Sequence, residues 1–170
     1  MMKNDNFTHP VLGSFTDTTG GGEWAKNSKT EVLSLGYSFK AFSIIVETPY
    51  SSPSEAQINK LVSLLSNQGN LKLKVATAYF EEYKKTIRKN YYDSYLDWTD
   101  ADWDGKKPDL DLLLPLIAEP ESMWSLIDTA YYIWCSEDSS VSFSFLTKYD
   151  NEHELHFEFD GENIQRVWHE

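Results

Sequence analysis

Five aspartates occur within the twelve residues DADWDGKKPDLD at 100–111, hereafter the aspartate loop. Carboxylates at alternate positions before a glycine have the spacing of a calcium-binding loop, in which hard oxygen ligands converge on the ion. The spacing predicts five calcium ligands, one of them a backbone carbonyl: Asp100, Asp102, Asp104, Lys106 through its carbonyl, and Asp111. Lys107 and Pro108 depart from the usual pattern, so a solvated acidic turn and a docking surface for a basic partner are the alternatives.

Negative charge is concentrated in the second half of the chain. The net charge is −12, with 11 Lys/Arg against 8 Asp/Glu in residues 1–92 and 4 against 19 in residues 93–170. Such a surface repels phosphate and attracts cations, so we expect a basic protein partner and no nucleic acid. The residues predicted to bind this partner are carboxylates and two indole anchors: Asp93, Asp97, Trp98, Asp100, Asp102, Trp103, Asp104, Asp109 and Asp111.

No enzymatic signature accompanies this charge. The single cysteine, Cys135, lies in the apolar run AYYIWC and is expected to be a buried, unreactive thiol. Four histidines lack a partnered serine or cysteine, so we predict a non-enzymatic protein without a cofactor other than calcium. A hydrolase with a carboxylate site that the sequence does not reveal is the alternative.

The chain shows neither a secretory signal nor a membrane span. The first ten residues contain no apolar h-region, and no run approaches the ~18 apolar residues of a spanning helix. We therefore expect a cytoplasmic protein that does not enter the membrane. Its oligomeric state stays open.

The N-terminal half reads as strands followed by two helices. Strands are predicted at 11–15, at 30–35 with an alternative start as early as Trp24, and at 37–47 from their β-branched and aromatic residues. A helix follows at 52–69, with Ser52 as its cap and Glu55 completing a capping box. Aromatic and aliphatic residues then recur every three or four positions from Leu73 onward, which predicts a second helix of about 27 residues.

The C-terminal half reads as short helices followed by a β-meander. A turn of helix is expected after the aspartate loop and another at 120–128, with strands at 129–135, 141–147, 153–160 and 163–168. One helical layer against a mainly antiparallel sheet buries all these apolar faces. We therefore predict a single α+β domain over residues 1–170.

The two ends of the chain resemble an uncharacterised bacterial family of small acidic α+β proteins. That family closes on Trp-Asp-x-Glu-His-Gly, a strand, an Asp-Gly turn and a last strand. Tyr149, Asp150, Glu152 and His153 match the signature in order, with Tyr in place of Trp and Glu154 in place of Gly. Near the start, Leu12-Gly13 and Trp24 are similar to the family's opening.

Some families of this kind are suspected to be toxin-immunity proteins, so the resemblance implies an immunity-type binding role. Asp150, Glu152 and His153 form either a functional site or a structural polar cluster. We favour the structural cluster, because a short Asp/His loop can satisfy its own backbone groups.

Overall fold

The computed structural model describes residues 6–17, 23–28, 42–48 and 52–169. Within these ranges, eight strands form one sheet in which the strand order follows the chain. The strands are β1 (Asn6–His9), β2 (Gly13–Asp17), β3 (Glu23–Ser28), β4 (Phe42–Glu47), β5 (Ile127–Cys135), β6 (Val141–Thr147), β7 (Leu155–Phe159) and β8 (Ile164–His169).

The described helices all lie between β4 and β5. They are α1 (Glu55–Ser66), α2 (Gln68–Glu82), a π-helical turn (Tyr83–Ile87), α3 (Arg88–Leu96), α4 (Leu110–Leu113) and a 3-10 helix (Pro120–Leu126). Two main helical segments and two short ones against a mainly antiparallel sheet confirm the predicted α+β class. Among the described residues, no helix is both long enough and apolar enough to cross a bilayer.

The sheet consists of two meanders joined by one parallel pair. β4 and β5 run parallel, with Ile44 opposite Ile133, whereas every other neighbouring pair is antiparallel. Parallel neighbours need a long crossover connection, usually helical. The helices therefore serve as the crossover between the two meanders.

The core lies between the helices and one face of the sheet. The rings of Phe143 and Phe157 stack with their centroids 5.3 Å apart. The ring of Tyr79 from α2 meets Phe157 edge-on, with a centroid distance of 6.1 Å. Leu155, Phe157 and Phe159 are buried, as the alternation in β7 predicts. His156 points to the opposite face but is buried as well.

The π-helical turn keeps a row of aromatic residues on the sheet side of the long helix. Tyr79, Tyr83, Ile87, Tyr91 and Tyr95 are spaced four apart, and each such step drifts by about 40° around an ideal α-helix. The wider turn carries an i→i−5 hydrogen bond from the Arg88 N–H to the Tyr83 carbonyl and offsets this drift. The predicted second helix is thus present, but it begins at Gln68 and contains this irregular turn.

The cap of α1 differs from the prediction by two residues. Ser54, not Ser52, is the N-cap, and it forms the capping box with Gln57. Gln57 is buried, and its Nε2 also donates at 2.8 Å to the carbonyls of Glu47 and Ser136. Glu47 is the last residue of β4 and Ser136 follows β5, so Gln57 joins the ends of the two central strands.

The N-terminal strands differ from the prediction more than the others. Val11 and Leu12, expected in a strand, lie in the turn between β1 and β2, where their N–H groups donate to His9 Nδ1. The predicted strand at 30–35 lies outside the described residues. Cys135 is buried as expected, and burial raises the pKa of its thiol to about 12.

We expect Gln57→Ala to lower the free energy of unfolding by about 1–3 kcal/mol, because it removes the donor that two carbonyls at the ends of the central strands share. Asn59→Ala, on the exposed side of the same helix, is the matched control and should change stability by less than about 0.5 kcal/mol. Urea unfolding monitored by circular dichroism measures both. Equal losses in the two variants would contradict the assigned role of Gln57.

Candidate functional site

A groove of about 730 Å³ lies where α3, the aspartate loop and the connection between β6 and β7 meet. We call it the acidic groove. Its charged and aromatic lining residues are Tyr91, Tyr95, Trp98, Asp102, Trp103, Asp104, Asp128, Lys148, Tyr149, Asp150, Glu152 and His153. Both parts of the sequence singled out for their chemistry, the aspartate loop and the closing signature, thus face one cavity.

Three packed rings form one wall of the groove. The centroid of the Tyr95 ring lies 4.8 Å from that of Trp98 and 4.7 Å from that of Trp103, and the centroids of the two indoles are 5.1 Å apart. Tyr95 is buried, and its hydroxyl donates to the Tyr149 carbonyl at 2.8 Å, whereas Trp98 is 39% exposed. The wall is therefore anchored to the β6–β7 connection through Tyr95, and it is open to solvent at Trp98.

Asp150 is the polar centre of the opposite wall. Its Oδ1 accepts from the N–H groups of Glu152 and His153, and its Oδ2 accepts from the Tyr91 hydroxyl at 2.6 Å and from His153 Nδ1 at 2.9 Å. Burial alone would raise the pKa of the Asp150 carboxyl, but these hydrogen bonds outweigh it and lower the pKa. Asp150 is thus held as an anion.

Tyr91 extends this network to the last strand. Because its hydroxyl donates to Asp150, its oxygen accepts from His169 Nδ1 at 2.8 Å. Burial and then the bond to Asp150 raise the pKa of Tyr91 far above its ordinary value, so it stays protonated. The result is a hydrogen-bonded chain from His153 through Asp150 and Tyr91 to His169.

Asp102 is fixed by its own loop. Its Oδ2 accepts from the backbone N–H and from Oγ1 of Thr99, both at 2.7 Å. The hydrogen bonds from Thr99 lower the pKa of the Asp102 carboxyl. The chain then turns at Asp104, whose φ of 51° lies in the left-handed region that aspartate tolerates better than most residues.

The predicted calcium ligands do not converge. Asp100 accepts from the Lys107 N–H, Asp102 from Thr99, and Asp111 from Arg88. Across the part of the chain that the structure describes, no group of three or more His, Cys, Asp or Glu side chains is placed to hold a metal ion. Calcium binding, including the proposed role of the Lys106 carbonyl, stays a prediction.

The groove collects only part of the predicted partner-binding set. Trp98, Asp102, Trp103 and Asp104 line it, across from Asp150, Glu152 and His153. The aspartates that do not line it are Asp93, Asp97, Asp100, Asp109 and Asp111.

Several of these outlying aspartates have local partners. The Asp93 carboxylate lies 3.4 Å from the Lys89 ammonium, and the Asp111 carboxylate lies 3.2 Å from the Arg88 guanidinium. Asp109 caps α4. Basic residues of the first half thus compensate part of the charge of the second half, which the count along the chain did not reveal.

Sequence reasoning missed Tyr91, Tyr95, Asp128 and Lys148 as groove residues. Tyr91 and Tyr95 continue the apolar stripe of the second helix, which predicts core positions for both. Tyr95 is buried, whereas Tyr91 is half-buried and lines the groove. Asp128 and Lys148 carry no sequence signal, because only the pairing of β5 with β6 brings them together.

A scan against protein-family models matches residues 11–169 to a family described as domain of unknown function DUF6985. The chain belongs to this family. The match includes both ends that carry the sequence resemblance, and the DUF6985 family is uncharacterised, as that resemblance implies. Searches of curated proteins and of solved structures found no significant match.

We expect Asp150→Asn to cost about 2 kcal/mol of stability at neutral pH, because a charged acceptor of four hydrogen bonds is lost. The folded-state pKa of Asp150 lies below its ordinary value of 3.8, so its contribution is complete above that value and declines as the pH falls further. The stability gap between wild type and variant should therefore narrow below about pH 4.

Urea unfolding from pH 7 down to pH 3 measures this gap, with Asp97→Asn, an exposed carboxylate, as the control. A gap that stays constant or widens towards acid would show that the pKa of Asp150 is not lowered by folding.

Proposed function

We propose that this DUF6985 protein is a non-enzymatic binding protein of toxin-immunity type, which takes a basic segment of a partner protein into the acidic groove. One observation carries the proposal. The charged lining of the groove consists of Asp102, Asp104, Asp128, Asp150 and Glu152 against a single lysine, Lys148.

The electrostatics of the groove favour a cationic ligand. Asp102 is held as an anion by Thr99, and Asp104, Asp128 and Glu152 are exposed. Clefts lined by one sign of charge with low-dielectric walls focus the field and raise the rate at which oppositely charged ligands associate. The protein's net charge of −12 acts in the same direction over a longer range.

The aromatic wall supplies the contact area that charge alone does not. Partly exposed Trp98 sits on Tyr95 and Trp103, which pack against it and against each other. Buried aromatic anchors contribute most of the binding energy at protein interfaces, whereas exposed charges mainly set specificity and association rate. A basic segment with an apolar or planar side chain fits both properties.

We expect the triple variant Asp102→Asn, Asp104→Asn, Glu152→Gln to bind a fluorescein-labelled arginine-rich peptide at least about tenfold more weakly than wild type. Fluorescence anisotropy at low salt measures the affinity, and added salt should weaken wild-type binding.

The matched control is Asp93→Asn, Asp97→Asn, Glu119→Gln, which removes the same number of charges outside the groove lining. Compared at about 0.15 M salt, where the screening length is about 8 Å, it should bind within about twofold of wild type, because charges outside the groove are then largely screened. Equal losses in the two triple variants, or no binding by wild type, would mean that the groove is not the binding site.

A hydrolase is the second candidate, favoured by the contact between Asp150 and His153. Asp150 occupies Nδ1 of the imidazole, so Nε2 is the atom left to accept a proton from water, as in a general-base pair. His153 is exposed and lines the groove. A cationic ester is the substrate that the surrounding carboxylates would admit.

This alternative predicts that the protein hydrolyses acetylthiocholine, a cationic thioester, and that His153→Ala lowers the rate by at least about a hundredfold. Release of the thiol measures the reaction, and Asp97→Asn serves as the control. Identical rates for wild type and His153→Ala would eliminate the hydrolase.

A further inference from the structure

We infer that the acidic groove selects arginine over lysine in the basic segment, by stacking the guanidinium on the Trp98 indole while Asp102 accepts its hydrogen bonds. This inference rests on the proposed function and names the side chain that the groove recognises.

The first support is that the stacking surface is rigid before any ligand binds. The centroid of the Trp98 ring lies 4.8 Å from that of Tyr95 and 5.1 Å from that of Trp103, so two neighbouring rings hold it in place. Tyr95 is in turn buried and hydrogen-bonded to the Tyr149 carbonyl. The exposed part of the Trp98 ring is therefore a fixed planar surface, which loses little conformational entropy when a second plane stacks on it.

The second support is that a carboxylate with a fixed direction lies in the same groove. Both hydrogen bonds from Thr99 go to Oδ2 of Asp102, which sets the orientation of the carboxylate while the side chain stays exposed to a ligand. Asp102 follows Trp98 by four residues in the sequence, and both line the groove.

Arginine matches this pair of features and lysine matches only one of them. A guanidinium is planar, weakly hydrated and able to stack through its face while its edge donates to a carboxylate. An ammonium is a compact, strongly hydrated charge that interacts with the carboxylate but gains little from a planar surface. A groove that held only scattered carboxylates would not distinguish the two.

The test compares two labelled peptides of equal length and charge, one with arginine and one with lysine at every basic position. Wild type should bind the arginine peptide about tenfold more tightly, as expected when stacking and a directed hydrogen bond add to the charge attraction. Trp98→Leu and Asp102→Asn should each reduce this ratio to about twofold or less. Asp97→Asn, which neutralises a neighbouring carboxylate outside the groove lining, should leave the ratio unchanged.

Each other outcome is decisive. Equal wild-type affinity for the two peptides would overturn arginine selection while leaving the proposed basic-segment site intact. A tenfold preference that survives both Trp98→Leu and Asp102→Asn would place arginine recognition elsewhere on the protein. Binding of neither peptide would overturn the proposed function itself, and this inference with it.

Discussion

The hydrogen bonds of Asp150 tie the long helix to the sheet at the place where the acidic groove forms. Tyr91 brings a donor from α3, and His153 and the backbone of Glu152 bring donors from the β6–β7 connection. A buried carboxylate without such donors would cost several kcal/mol. Of the Asp150 hydrogen bonds, the one from Tyr91 joins the helix to the connection, and the bond from Tyr95 to the Tyr149 carbonyl joins the same two segments one helical turn further along.

Local patterns account for much of this fold. The four C-terminal strands lie within a few residues of their predicted positions, because alternation and turn residues are local signals. The parallel pairing of β4 with β5 depends on contacts between distant segments, which no local pattern encodes. The π-helical turn had a trace in the sequence: aromatic residues at intervals of four cannot stay on one face of a regular α-helix.

The candidate site was less accessible to sequence reasoning. The aspartate loop and the closing signature stand out in the chain, yet the sequence gives no reason to place Asp102 and Asp150 around one cavity. A count of charges along the chain also cannot distinguish the aspartates of the second half that have a basic neighbour from those that do not. Arg88 and Lys89 lie close to two of them, and that pairing depends on how α3 is oriented towards its surroundings.

The parallel pair at the centre of the sheet sets the order in which the molecule can assemble. β4 and β5 are separated by residues 48–126, so their pairing closes a long loop and carries a correspondingly large entropic cost. The C-terminal meander and the long helix involve nearer neighbours and can form first. Gln57 donates to carbonyls at the ends of both central strands, so the closure of this loop also fixes the first turn of α1 against the sheet.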